Sequence, residues 1–288
     1  MKHLEKLFIV FLLTSCSSTK MLDLGGKASV KGTEVSQKAI DIYGLLSQQA
    51  DIDKSQQDKI KVLTNKKPSE MVLPDSKVAD FSEQLKPRID AYEKLLNTYK
   101  AFTLLTDSSY GDMTQEATSA LQDSYNSIQT FSDIPESVSS KLPEIAKMIS
   151  QEIQVKKIKE HNKILYSLTT VYTMLWDKDQ KTWNDYIDLI YNNYAQGLNT
   201  VDSKKYDAKM ISETMKEPYS DEATVILMYR LEKRDEIIKK RNDLKKQLND
   251  FGKALKELNK AHLEISKSKT DPSDVTKMMN TIENLLKQ

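Results

Sequence analysis

Few residues of this 288-residue chain have the types and spacing that chemistry requires. Of three histidines, His3, His161 and His262, none has another at helical spacing, and Cys16 is the lone cysteine, so a zinc-type ligand set is not assembled. No Gly-x-Ser-x-Gly elbow, phosphate-cradling glycine loop or His-Glu-x-x-His run occurs, which leaves no motif for a nucleophile, a nucleotide or a cofactor. Gly25-Gly26 follows no strand and reads as a joint. Carboxylates are abundant. Asp177, Asp179, Asp185 and Asp188 lie beside Trp176 and Trp183, a mixture that suits a saccharide groove or a paired-carboxylate hydrolase, and equally the solvated flank of a helix.

Cys16 carries the clearest chemical signal. Lys2 and Lys6 make a short basic start, Leu7 to Leu13 reads LFIVFLL, and the run closes on Leu13-Thr14-Ser15-Cys16. Seven apolar residues are too few to span a bilayer, for which about 20 are needed. The layout resembles a bacterial lipoprotein signal peptide with its lipobox. The resemblance is confined to this targeting segment. It implies cleavage before Cys16, a diacylglyceryl thioether on that thiol, and removal of residues 1–15 from fold reasoning. Ser17 in place of an aspartate after the lipidated cysteine implies, by the same family rule, export to the outer membrane.

The most unusual local composition is YSLTTVYTMLWDKDQKTWNDYIDLIYNNY. Tyr166, Tyr172, Trp176, Trp183, Tyr186, Tyr191 and Tyr194 join large apolar faces to polar tips, which suits a buried helix junction or a protein-binding surface. These rings cannot all share the inward face with Ile187 and Ile190. Basic residues are too sparse among them for nucleic acid. Residues 1–15 hold Lys2, Lys6 and Glu5, so the remainder has 41 basic and 41 acidic residues and offers neither nucleic acid nor anionic lipid an electrostatic footprint.

The elements that must position these residues are helical throughout. Gly and Pro number seven each, charged residues reach 30%, and no run alternates like a strand. Residues 16–33 are small and polar and read as a flexible tether. Helices are expected over Glu34 to Leu63, Ser76 to Leu105 with a kink or boundary at Pro87, Thr114 to Phe131, Pro143 to Trp176, Lys178 to Leu198, a short stretch around Met210, and Asp221 to Ser266. A last helix starts at Asp271-Pro272-Ser273-Asp274, with Asp271 as cap. Within the long 221–266 helix, Ile237, Leu244, Phe251, Leu258 and Ile265 recur every seven residues, with Arg241, Leu248, Leu255 and His262 at the offset. His262 on this seam is expected to be buried and hydrogen-bonded, His161 to lie on an exposed face.

The expected fold is therefore all-α, an elongated helical bundle with long antiparallel coiled-coil-like helices. An N-terminal bundle (34–131) would join a long-helix spine (143–288), in which 143–176 pairs with 221–266. Such a rod transmits position and offers few concave sites. The function expected is a lipid-anchored envelope protein acting as a non-catalytic scaffold or adaptor in the periplasm, needing no cofactor or metal. Its partners would be the membrane, through Cys16, and an envelope protein. The alternatives are a binder or inhibitor directed at cell-wall glycan or its enzymes, and a carboxylate-dependent hydrolase. A homodimer is compatible with the seam but not implied by it.

Overall fold

The computed structural model describes residues 2–64, 75–106, 114–130, 134, 136–145, 147, 158–202, 222–267 and 270–287, with side chains described for fewer of them. All the regular structure among these residues is helical. The helices are α1 (Lys2–Thr64), α2 (Asp75–Thr106), α3 (Thr114–Ile128), α4 (Glu136–Ser139), α5 (Ile158–Asp202), α6 (Glu222–Ser266) and α7 (Pro272–Leu286). The fold class is all-α, with helices held by long-range packing. The helix expected around Met210 lies outside the described residues.

The chain divides into two compact units, and the division runs across the expected one. Unit 1 takes residues 1–41, 87–180 and 249–288, and unit 2 takes 42–86 and 181–248. Helices α1, α2, α5 and α6 therefore each serve both units, so no cut between 131 and 143 separates an N-terminal bundle from a spine. Pro87 does not end α2, which runs on to Thr106. It stands instead where the chain passes from unit 2 to unit 1.

The tether is the largest correction. Residues 16–33 belong to α1, and from Leu24 onward they supply core. Leu24, Ala28, Val35 and Ala39 are buried at helical spacing, each four or seven residues from the next. The small polar residues between them serve close packing: Ser36 Oγ donates to the Gly32 carbonyl at 2.8 Å, and a Cβ on Gly32 would overlap the Tyr99 ring. Small size reads locally as flexibility, yet here it admits a neighbouring ring.

In unit 1, α5 and α6 run antiparallel. Asn162 meets His262, Asn259 Nδ2 donates to Tyr166 O at 2.9 Å, Trp176 meets Phe251, and Gln180 Nε2 donates to Asn249 Oδ1 at 2.7 Å, so the partner number falls as α5 advances. Of the heptad residues, all but Arg241 are buried. Ala254 and Ala261 are buried beside them, which widens the apolar face beyond a two-position seam. Helix α5 also continues through Asp177 to Gln180, where two separate helices were expected. Those polar residues find long-range partners: Asp177 pairs with Lys256 at 2.7 Å and Asp179 with Arg88. The Asp271 cap is as the sequence predicts, its carboxylate accepting from Ser273 N at 2.8 Å with Pro272 opening the helix.

Candidate functional site

The aromatic segment of α5 is distributed between the two units, and most of it is interior. In unit 1, Tyr172 and Trp176 are each 1% exposed. Tyr172 donates its hydroxyl to Ala91 O at 2.8 Å, and Ser124 Oγ, 3.3 Å away, supplies the second contact of that oxygen. Burial pushes the Tyr172 hydroxyl up to about 12, so it stays a donor across the physiological range. The Trp176 ring stands edge-on to Phe251 with centroids 4.7 Å apart. It lies so close to Gly252 that any side chain there would overlap it.

In unit 2, Trp183 and Tyr186 are fully buried. Trp183 makes edge contacts with Tyr43 at 5.7 Å and Tyr186 at 6.2 Å between centroids. Tyr191 is also buried, with its hydroxyl 3.4 Å from Gln49 Oε1. Only Tyr166 is half-exposed, and the Tyr194 side chain lies outside the described residues. Five of the seven rings offered as a partner surface are thus core. The reason is register: Tyr172, Trp176, Trp183 and Tyr186, spaced by four, seven and three, fall on one helix stripe.

Unit 1 also holds a buried polar chain that local sequence reasoning could not assemble. Tyr99 OH lies 2.9 Å from His262 Nε2, and His262 Nδ1 lies 2.8 Å from Asn162 Oδ1. Asn162 Oδ1 can only accept, so Nδ1 carries the proton, leaving Nε2 to accept from Tyr99. The neutral imidazole satisfies both neighbours. Burial holds His262 down to about 3 and pushes the Tyr99 hydroxyl well up, which keeps both uncharged. The arrangement has the connectivity of an acid–base relay, but neither ring is exposed to a substrate. Its work is to join α2, α5 and α6. His161, expected on an exposed face, is buried with its ring edge-on to Phe102, centroids 5.2 Å apart.

The acidic cluster near the tryptophans is likewise not gathered at one place. Asp179 makes a two-point pair with the buried guanidinium of Arg88, Nη2 to Oδ1 at 2.8 Å, while Asp188 in unit 2 accepts from Lys245 at 2.5 Å. The residues Arg88 and Asp179 are 91 apart in sequence, and only the fold brings them together. Among the described residues no cluster of three or more His, Cys, Asp or Glu side chains has metal-holding geometry, and no helix is long and apolar enough to cross a membrane.

Among the described residues of unit 1, one open groove of about 810 Å³ is walled by α1 and α7, with Thr103 near the end of α2. Leu24 and Met279 give it an apolar floor, and Asp23, Lys27, Lys31 and Glu283 rim it. Cys16 lies on the same helix as this wall, and its side chain lies outside the described residues. Compared with family models, with curated proteins and with solved structures, the chain matches none.

Proposed function

We propose that this chain is a lipid-anchored protein of the bacterial envelope, held through Cys16 on the periplasmic side of the outer membrane, where it acts as a non-catalytic scaffold or protein-binding adaptor. The observation that carries the reading is the run LFIVFLLTSC after a basic start, which fits the lipobox chemistry of a thioether-linked anchor. The antiparallel α5–α6 pair supports it as a coiled-coil-like spine, a framework suited to holding a position. In this reading the aromatic rings of α5 stiffen the spine from within, and an envelope partner meets other surfaces. Leu45 and Ile52 of α1 and Leu231 of α6, all in unit 2, are apolar and exposed. The glycan-binding alternative needs an exposed indole as a stacking platform, and both Trp176 and Trp183 are buried.

Photocrosslinking residues introduced singly at Leu45, Ile52 and Leu231 in intact cells test the adaptor role, with Trp183 as the buried control. A single envelope protein captured at the exposed positions at native abundance is the outcome expected. Capture of no protein from any exposed position would contradict it.

A further inference from the structure

The chain between the anchor and the fold has little slack. Leu24 is 3% exposed and Ala28 is fully buried, so the packed part of α1 begins no later than the eighth residue after Cys16. Eight residues span at most about 28 Å when drawn out, and about 12 Å as helix. A tether running through residue 33 would have allowed about 60 Å.

Contacts from two other helices fix this stretch of α1 within unit 1. The Tyr99 ring of α2 fills the space beside Gly32 that a Cβ would need. Lys31, largely buried, is held by Glu34 at 2.8 Å and reaches Glu283 of α7 at 3.4 Å. Lengthening the connection to the anchor would mean peeling Leu24 and Ala28 off the core and returning their apolar surface to water. Beyond them the close fit of Gly32 and Tyr99 opposes any further release.

We propose that α1 is a fixed mount: the seven residues 17–23 set the height of unit 1 over the bilayer that holds the Cys16 lipid, and keep its Leu24 end within about 28 Å of residue 16. The inference rests on the anchored reading of Cys16. It adds a limit on reach, because whatever binds the Leu24 end must come within that distance of the anchor.

The test uses the lipidated chain purified from membranes and reconstituted in phosphatidylethanolamine–phosphatidylglycerol vesicles that carry a headgroup acceptor dye matched to this span. In that chain the Cys16 sulfur is a thioether, so a donor dye labels only an added cysteine. Lys27→Cys places the donor on an exposed side chain three residues past Leu24. A second chain carries, between Thr19 and Lys20, a Gly-Ser insert of about 40 residues, which adds a flexible span of about 35 Å. The expected result is energy transfer several-fold higher in the parent than in the insert chain. Equal transfer from two chains whose Cys16 peptides carry lipid by mass overturns the mount and leaves the anchor standing. A Cys16 peptide without lipid overturns both.

Discussion

Trp176 and Gly252 are in such close contact across the α5–α6 interface that the indole occupies the space a Cβ would need. The contact sets how near the two helices lie at the centre of unit 1. Gly252→Ala should therefore lose more from overpacking than it gains in helix propensity, a net destabilisation of about 1–3 kcal/mol. Urea unfolding of the Cys16→Ser chain measures it. Trp176→Phe in the same background should recover part of the loss, because the two changes act on one contact. Strict additivity would show that the contact does not limit the approach.

The buried pair Arg88–Asp179 gives a second expectation. Removing one partner strands a charge in the interior, so Arg88→Ala should cost about 3–5 kcal/mol. Replacing both, as Arg88→Met with Asp179→Leu, should restore most of the midpoint. A double variant no more stable than the single one would mean that the pair itself, rather than the stranded charge, governs stability at this point.

His262 makes unit 1 sensitive to acid. Its imidazole is held to about 3 when folded, against 6.5 when free. Between these values the unfolded chain binds a proton that the folded chain refuses. Its contribution is complete above about pH 6.5 and falls by about 1.4 kcal/mol per unit of acidification until about pH 3. The comparison is with His262→Gln, which keeps the carboxylates and removes this group. The slope of stability between pH 6 and 4.5 should be steeper in the parent by one proton, and equal slopes would remove His262 as the cause.

Leu24 distinguishes a packed helix from a tether. It is 3% exposed, so Leu24→Ala should cost about 2–5 kcal/mol, and backbone amides over 24–33 should exchange with the protection of unit 1. Free exchange and an unchanged midpoint would return these residues to linker status.

How far the sequence spoke depended on the distance over which each residue finds its partner. The 221–266 helix was legible because Ile237 through Ile265 repeat along it at one period, and an apolar stripe needing cover made 143–176 its expected partner, of which residues 162–176 run antiparallel to it. The stretch up to residue 33 reads locally as a tether because Gly32 is small for a reason 67 residues away, the Tyr99 ring. Asp177 to Gln180 looked like a helix break for the same reason: their partners Lys256, Arg88 and Asn249 are remote. The aromatic cluster was visible as composition, but which rings point inward depended on the stripe that Tyr172, Trp176, Trp183 and Tyr186 share. Tyr166 lies off that stripe and stays half-exposed. The division into units was illegible, since α1, α5 and α6 pass from one unit to the other without a turn signal, and Pro87 alone stands at such a passage, in α2.

The mass of the N-terminal peptide of the chain isolated from cell envelopes tests the anchor at Cys16 most directly. A peptide beginning at Cys16 with a diacylglyceryl thioether is the predicted result. A chain that retains Met1 and a free Cys16 thiol would contradict it.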